Sequence, residues 1–583
     1  MLQNQSNRKN NIRDRIIILL SVIGLIVCIT ILFPQIRQMI IDLMEQHLRR
    51  KIFFYQIWLK FLLSLAVGGI CFILFFDYCT LTNSGRKIVR KVQHEIKECL
   101  SEIDFRSFRK PVLIMSGVYL LGILTIIRAN FLYRDDIARS AEGYHDWFVW
   151  SRYVAELLSL FIHADFRFTD ISPLPQLLAV LILAISSVLL VYILNSRKIT
   201  ITGLLASISI GLFPYVLECL SYKYDAPYMA LSVFASIIPF LFIASKKAFF
   251  FFSVIGLLIM CMTYQAASGI YLLLVLILCF QDWNSRKKST KEIFSFLGIA
   301  VFAFCFALLV FKFFLMREAS NYVSNAMFPI SQIIPGTLSN IKTYTMTINH
   351  DLGLIWKIGI ILVFVLFITK SIYHSAQKNL IPFFVSILVI GLSFIVSYGA
   401  YSFLITPLYA PRAMFGFGVF LSILCVYVVS DFKKIAVITV LALNWCFFTF
   451  AFSYGNALAD QARYAEFRIG ILLQDLSTLY PNQNGEDLSI QLKNSIDYTP
   501  SIKNIAKHNP VIKRLVPTRL QDFYVFDNRY YLEYFNFGTY RMTHYPNYTE
   551  NENYNTENLP VVLDSYYHTI KSDGNHLLII LKH

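Results

Sequence analysis

Apolar runs long enough to cross a membrane recur along most of the chain. A spanning helix needs about 20 predominantly apolar residues, since the bilayer core is roughly 30 Å thick. The pattern predicts thirteen spans, near residues 16–33, 58–76, 112–129, 176–194, 201–219, 228–245, 248–263, 268–280, 293–315, 354–370, 382–404, 413–430 and 435–454. Two of these are short, so the turn at Tyr264 and Gln265 is also compatible with a re-entrant pair. We therefore expect an all-α polytopic membrane protein with about thirteen transmembrane helices.

Composition excludes a soluble enzyme held by a single membrane anchor. Hydrophobic residues make up 56% of the 583 positions and charged residues only 15%, whereas about 25% of an ordinary soluble domain is charged. The lipid bilayer is therefore the expected surrounding of most of the chain.

The basic residues predict how the chain is oriented in the membrane. Lys and Arg exceed Asp and Glu by 52 − 36 = 16, and in polytopic proteins such an excess marks loops retained in the cytoplasm. It is not interpreted as a nucleic-acid signal, and we expect no nucleic-acid partner. With a cytoplasmic N-terminus nearly every inner loop is basic, and an odd number of spans places the C-terminal region in the periplasm.

The layout divides the chain into three regions. Residues 1–111 contain the first spans and a basic amphipathic segment, Arg86 to Lys110, expected to lie along the inner leaflet. Residues 112–455 form the transmembrane core and include the first large outer loop, 130–175. Residues 456–583 form a tail with strand-like patterns at 488–492 and 577–581 and a helical pattern at 457–473, which predicts a small α/β periplasmic region.

The first outer loop contains two adjacent carboxylates, Asp135 and Asp136, flanked by Arg134 and Arg139. Held just above the membrane, such a pair can accept a proton, bind a divalent cation or orient a sugar hydroxyl. Like charges this close raise the pKa of one partner, which suits a general base. The alternative is a solvated loop with helix-capping acids.

Short motifs in the outer loops carry a resemblance to a known family. They are Tyr133-Arg-Asp-Asp-Ile-Ala-Arg-Ser, Gly143-Tyr144, Ser151-Arg152 and Asp170-Ile-Ser-Pro-Leu-Pro-Gln176, followed by Tyr222-Lys-Tyr-Asp-Ala-Pro-Tyr-Met229, Tyr264-Gln265 and Pro411-Arg412. Together they resemble the serotype-converting O-antigen glucosyltransferases of temperate phages and enterobacteria. The match is strongest over residues 112–200, and the tail offers only a general similarity.

The resemblance implies a GT-C type integral membrane glycosyltransferase of the bacterial inner membrane. Such enzymes transfer a sugar at the periplasmic face, here glucose from undecaprenyl-phosphate glucose to the O-antigen of lipopolysaccharide. Members of the family work beside a flippase and a carrier-loading glucosyltransferase. Their acidic motif in the first large outer loop corresponds here to Asp135 and Asp136, which become the expected catalytic residues.

The remaining site residues follow from the chemistry that this transfer needs. Asp135 or Asp136 would deprotonate the acceptor hydroxyl, and a guanidinium group would bind the departing phosphate, for which a divalent cation is a possible cofactor. The predicted substrate-binding residues are Arg134, Arg139, Arg152, Asp225, Gln265 and Arg412. For the arginines, snorkelling at the membrane interface is the alternative. Glu218, at the end of its predicted span, is a further candidate because an acid there needs a polar partner.

Two other functional classes remain open from the sequence. One is a transporter or flippase of lipid-linked glycans, although the acids concentrate outside the spans and charges in the middle of spans are few. The other is a GT-C transferase or polymerase that acts on a different sugar. The acceptor hydroxyl and the anomeric outcome are not predicted.

Overall fold

A computed structural model describes residues 83–316, 326–377, 380–431, 433–481, 489–521, 541–542, 558–574 and 576–582, with a few isolated positions between 528 and 535. The spans predicted near 16–33 and 58–76 lie outside the described residues. The described chain forms two compact units. The smaller one comprises the described part of Met1–Asp104 together with Pro239–Leu258 and Gly298–Arg317, and all residues of the candidate site belong to the larger one.

The described chain is mostly helical. The helices, in chain order, are α1 Asn83–Ser101, α2 Phe105–Ala129, α3 Asp136–Glu142, α4 Tyr153–His163, α5 Leu174–Leu194, α6 Ile201–Ala206, α7 Ser209–Leu212, α8 Pro214–Ser221, α9 Ala226–Ile237, α10 Lys246–Cys261, α11 Ser268–Asn284, α12 Thr290–Val310, α13 Ile333–Asp351, α14 Leu354–Tyr373, α15 Ile381–Ser397, α16 Pro411–Met414, α17 Gly416–Val429, α18 Lys434–Leu479, α19 Pro500–Ala506 and α20 Ile512–Leu515. Short 3₁₀ turns lie at Trp147–Trp150, Ile238–Phe242, Gln265–Ala267, Ile330–Gln332 and Gly399–Phe403.

The predicted number of thirteen spans is not confirmed. Within the described residues six helical segments are long and apolar enough to cross a membrane: Phe105–Ala129, Leu174–Leu194, Gln265–Asn284, Thr290–Leu315, Leu354–Tyr373 and Lys434–Leu479. Each coincides with a predicted span. A seventh, predicted at 201–219, is broken and bent by 58° where Pro214 follows the extended residue Phe213. The spans predicted at 228–245, 248–263, 382–404 and 413–430 correspond to helices of fewer than 18 residues, because apolar runs that continue through turns do not form one helix.

A glycine of α18 allows this helix to approach α2 closely near the C-terminal end of α2. Gly455 of α18 lies against the backbone of α2, where a Cβ atom would come within 2.5 Å of the backbone nitrogen of Ile126. Such contacts are typical of membrane helix pairs, in which van der Waals packing replaces the hydrophobic effect. The C-terminal end of α2, which leads into the loop of residues 130–175, is therefore held closely against α18.

Helix α18 continues without a break from the membrane core into the C-terminal region. It contains 46 residues, which at 1.5 Å per residue is roughly 69 Å, about twice the thickness of a bilayer core. The helical segment predicted at 457–473 lies within it.

The tail ends in a five-stranded mixed sheet with strand order β2-β1-β5-β4-β3. The strands are β1 Ser489–Lys493, β2 Arg541–Met542, β3 Val561–Asp564, β4 His568–Ser572 and β5 His576–Leu581. The two strands predicted from sequence are β1 and β5, and they pair in parallel with Ile490 opposite Leu577. The predicted α/β character of the tail is confirmed.

Candidate functional site

The first outer loop connects α2 to α5 and is built from α3, a 3₁₀ turn and α4. Helix α3 packs against the tail, because Ile137 and Ala138 are fully buried in one apolar cluster with residues of α18 and of the sheet. The residue before the acidic pair, Arg134, has a positive φ of 46°, a conformation that is uncommon for residues other than glycine. The position of the pair therefore depends on contacts with the tail as well as on the loop itself.

The two adjacent aspartates have different surroundings. Asp135 is exposed at the start of α3 and makes no capping hydrogen bond there. Asp136 is fully buried, and its Oδ2 accepts hydrogen bonds from the backbone N–H groups of Tyr133 at 3.1 Å and Lys223 at 2.9 Å. Its Oδ1 is buried without a hydrogen-bond partner among the described residues. Asp135 is thus accessible to a substrate, whereas Asp136 links the loop to the turn after α8.

The environment of Asp136 also changes its protonation. Burial raises the pKa of this carboxyl well above 3.8, the nearby charge of Asp225 raises it further, and the hydrogen bonds from Lys223 and Tyr133 oppose the shift. This agrees with the general rule that a low-dielectric environment disfavours the charged form of an acid.

Arg139 and Asp225, both predicted to bind substrate, contact each other. The two side chains are 7% exposed, and Arg139 Nη1 donates to Asp225 Oδ2 at 2.5 Å. The other carboxylate oxygen accepts a hydrogen bond from Trp147 Nε1 at 2.5 Å, and the Arg139 guanidinium lies 3.9 Å from the centre of the Trp147 ring. This triad joins α3, the 3₁₀ turn and the start of α9.

Glu218 connects two further predicted residues. Its fully buried carboxylate accepts hydrogen bonds from the backbone N–H of Arg412 at 2.6 Å and from Arg412 Nη1 at 2.9 Å. Arg134 Nε lies 3.6 Å from the same carboxylate. Tyr222 is buried beside Arg412, and the charges of Arg134 and Asp135 also act on its hydroxyl. Arg134, the neighbour of Asp135 in the chain, and Arg412 therefore share one buried carboxylate.

Arg152 has a different environment from the other arginines. Its guanidinium lies 4.8 Å from the centre of the Tyr264 ring, and its Nε is buried without a hydrogen-bond partner in the part of the chain that the structure describes. No described carboxylate lies within ion-pair distance of it. Burial raises the pKa of Tyr401, and the charges of Arg152 and Arg412 act against that shift. Gln265 donates from Nε2 to the carbonyl of Trp150 at 3.2 Å and so holds the turn that precedes Arg152.

Two buried pairs near the site were not singled out from the sequence. Lys223, only 3% exposed, donates from Nζ to Asn130 Oδ1 and Asp170 Oδ2, each at 2.6 Å. His145 pairs with Glu156 inside the first outer loop. Lys223 and Asp170 both lie within the motifs that carry the family resemblance, and that was the only signal the sequence offered for them.

The tail is fastened to the site by side chains that contact backbone carbonyl groups. Tyr133 donates its hydroxyl to the carbonyl of Leu515 at 2.6 Å. Arg519 donates to the carbonyl of Leu132 and lies over the ring of Phe131. These contacts come from the loop that carries Asp135, so the tail forms part of the framework of the site.

The described residues contain no group of three or more His, Cys, Asp or Glu side chains arranged to hold a metal ion. Of the acids nearby, Asp225 and Glu218 already bind arginine, and Asp136 accepts two backbone hydrogen bonds. The surroundings of Asp135 consist mainly of cationic and aromatic groups, which suit an anionic substrate better than a cation.

Comparison with known proteins finds a phage relative and a matching family. A protein of Salmonella phage P22, described as an uncharacterized 55.3 kDa protein in the gtrB 5' region, is 26% identical over 425 residues, which are 69% of this chain and 86% of the phage protein. No solved structure matches the chain. Residues 124–429 match the family described as Glucosyl transferase GtrII, a stretch of slightly more than half of the chain that includes every predicted site residue. The match confirms the resemblance to serotype-converting glucosyltransferases, and the chain belongs to the GtrII glucosyl transferase family.

Proposed function

We propose that the protein transfers glucose from undecaprenyl-phosphate glucose to the O-antigen of lipopolysaccharide at the periplasmic face of the bacterial inner membrane. Family membership supports glucosyl transfer, and the phage relative is described by its position 5' of gtrB. The apolar helices suit a donor whose lipid tail stays in the bilayer while its sugar reaches the outer loop. A flippase and a carrier-loading glucosyltransferase supply this donor.

The observation that carries the proposal is the exposed carboxylate of Asp135 next to Arg134, whose guanidinium shares the buried carboxylate of Glu218 with Arg412. In the proposed step Asp135 takes the proton of an acceptor hydroxyl as its oxygen attacks the anomeric carbon of the donor. A bond forms between that carbon and the acceptor oxygen, and the bond to the phosphate oxygen breaks with its electron pair. The carboxylate must reach the acceptor from solvent, and Asp135 meets that requirement whereas the buried Asp136 does not.

The departing phosphate is assigned to Arg152. Arg139 and Arg412 each already donate to a buried carboxylate, so part of the hydrogen-bonding capacity of each guanidinium is already used. Arg152 has an aromatic face beneath it and a buried N–H that lacks an acceptor among the described residues. A guanidinium stacked in this way is oriented for paired hydrogen bonds to phosphate oxygens.

The other predicted residues hold these groups in place. Asp136 fixes the backbone on both sides of the acidic pair, and the Arg139–Asp225 pair fixes the start of α9 against α3. Glu218 orients Arg412 and Arg134, and Gln265 supports the turn before Arg152. The described residues provide no ready set of ligands for a divalent cation, and no step of the proposal depends on one.

Structural analysis of the O-antigen from cells with and without this protein, supplied with the flippase and the carrier-loading enzyme, tests the function. A new glucosyl branch is expected with the wild-type chain. Asp135→Asn should reduce branching by about 100-fold or more, since a missing general base typically costs that much. Asp165→Asn is the matched control, because Asp165 is an exposed aspartate of the same loop that bonds only to neighbouring backbone.

An unmodified glycan from cells with verified, membrane-inserted protein would contradict the proposed substrates. Transport of lipid-linked glycan without any new linkage would favour the flippase alternative. Full branching by the Asp135→Asn variant would refute the assignment of the base.

A further inference from the structure

A pocket is lined by Lys223, whose backbone N–H donates to Asp136 of the acidic pair. Its apolar walls are Ile126 and Ile127 at the end of α2, Phe131 in the first outer loop and Leu458 of α18. The ends of α2 and α8 and the beginning of α5 meet here, at the level where the chain leaves its apolar segments. The cavity volume is about 50 Å³.

The pocket contains polar atoms with unused hydrogen-bonding capacity. Gln176 lines it, is 3% exposed, and its Oε1 has no hydrogen-bond partner in the described chain. Lys223 Nζ donates to Asn130 and Asp170, so described residues take two of its three protons. A buried carbonyl oxygen left without a hydrogen-bond partner is destabilising. An occupant that donates to Gln176 and accepts from Lys223 would relieve this cost.

The charge balance of the pocket favours a neutral occupant. Burial alone would raise the pKa of Asp170, but hydrogen bonds from Lys223 and Ser172 outweigh burial and hold it below its ordinary value. Asp170 is therefore a carboxylate that compensates Lys223, in contrast to Arg152, which has no such partner. A phosphate at this position would meet a neutral ion pair.

A hydroxyl group satisfies both requirements, because it donates one hydrogen bond and accepts another. The apolar walls suit the C–H groups of a sugar ring, and the size suits one edge of the ring rather than a long chain. We propose that this pocket is a subsite for the hydroxyl-bearing edge of a neutral sugar ring, which hydrogen-bonds to Gln176 and Lys223. The inference rests on the proposed function, since it names the part of the site that selects the carbohydrate.

The pocket is linked to the acidic pair through one residue. Lys223 lines the pocket, and its backbone N–H donates to Asp136. An occupied pocket therefore fixes the turn that holds Asp136 and, through the adjacent backbone, the position of Asp135. Sugar recognition and placement of the base are in this way parts of one structure.

Binding is tested on the purified full-length protein in detergent by saturation-transfer NMR, which needs no turnover. The probes are methyl α-glucopyranoside, which stands for the donor sugar, and delipidated O-antigen polysaccharide, which stands for the acceptor. Gln176→Leu removes the unpaired oxygen, and Ile127→Trp fills the pocket. The controls are Gln281→Leu and Leu177→Trp. Gln281 lies near the C-terminal end of α11 and donates to the carbonyl of Leu194, and Leu177 is an exposed neighbour of Gln176.

Saturable binding of at least one probe is expected, and the probe that binds identifies the donor or the acceptor as its source. Gln176→Leu should weaken that binding by about threefold to tenfold, which is the usual effect of one lost hydrogen bond, and Ile127→Trp should abolish it. Both controls should bind as the wild type does. Unchanged binding in Gln176→Leu and Ile127→Trp, or binding of neither probe, would mean that the pocket holds only water and would overturn the inference.

The same measurement separates this inference from the proposed function. The Asp135→Asn variant should retain probe binding while it loses transfer. Probe binding that depends on Gln176 in a protein that adds no glucosyl branch would support the subsite and refute the proposed reaction. Normal branching together with probe binding that Gln176→Leu and Ile127→Trp leave unchanged would support the proposed reaction and refute the subsite.

Discussion

The buried pair of Arg139 and Asp225 allows the strongest test of how the site is held together. Changing Arg139 to Gln leaves the Asp225 carboxylate buried, with the Trp147 N–H as its one remaining side-chain partner among the described residues. At a separation of 2.5 Å, an effective dielectric constant of about 20 gives an attraction of roughly 6–7 kcal/mol before desolvation is subtracted. Removal of one member of a buried pair costs about 3–5 kcal/mol in measured cases, and we expect a loss of this size in the free energy of unfolding.

The assay is equilibrium unfolding in mixed micelles of dodecyl maltoside and SDS, followed by circular dichroism. Arg463→Gln is the matched control, because Arg463 forms an ion pair with Asp460 in which its own side chain is 76% exposed. Such exposed pairs contribute about 0.2–1 kcal/mol. The double variant Arg139→Gln with Asp225→Asn should recover a large part of the lost stability, since it removes the uncompensated charge.

A loss in Arg139→Gln no larger than in Arg463→Gln would refute this account of the pair. The double variant also separates a positioning role from direct substrate binding. Recovered stability together with recovered transfer supports the positioning role. Recovered stability without transfer would show that Arg139 or Asp225 contacts the substrate, as the sequence predicted.

Three further predictions concern protonation, the phosphate site and orientation. The pKa of Asp136 is raised in the folded protein, so the stability that its protonated form contributes is complete below about pH 4 and is lost as pH rises through the folded pKa. The unfolding free energy of Asp136→Asn should therefore increase relative to that of the wild type as pH rises. A difference in unfolding free energy that does not change with pH would contradict this. Arg152→Gln should lower kcat/KM for the lipid-linked donor by about 10- to 100-fold, as expected for a lost charged hydrogen bond, whereas Arg167→Gln on the same loop should change it little; equal effects would refute the phosphate assignment. In a cysteine-free background, Arg463→Cys should react with a membrane-impermeant maleimide added to the periplasmic side and Lys287→Cys should not, and the opposite result would invert the proposed topology.

The separation of Asp135 from Asp136 shows a limit of prediction from sequence. The two residues are neighbours with identical side chains, and the sequence alone supports either as the base. Their difference arises because α3 packs Ile137 and Ala138 against the tail, while Asp136 is buried with Lys223 of the turn after α8 as a hydrogen-bond partner and Asp135 stays exposed. The choice thus depends on residues far from the acidic pair along the chain.

The predicted substrate-binding residues show the same limit in another way. Arg139, Arg152 and Arg412 look alike in sequence, each near an aromatic residue in an outer loop. The structure distinguishes them by their partners, since Asp225 and Glu218 compensate two of the three. These partners come from α8 and the turn after it, and no local pattern assigns a carboxylate to a particular arginine.

The sequence by itself determined the class of environment, the family and the loop in which the chemistry is sought. Apolar length and composition are local properties that the bilayer selects directly, and the motifs of the first outer loop are contiguous. Only the tertiary structure decided which apolar runs form continuous spans, which aspartate is exposed, and that Lys223 lies between Asp136 and a polar pocket. These features depend on backbone bends, on close helix contacts and on long-range pairing of buried charges, and such pairing has no period along the chain.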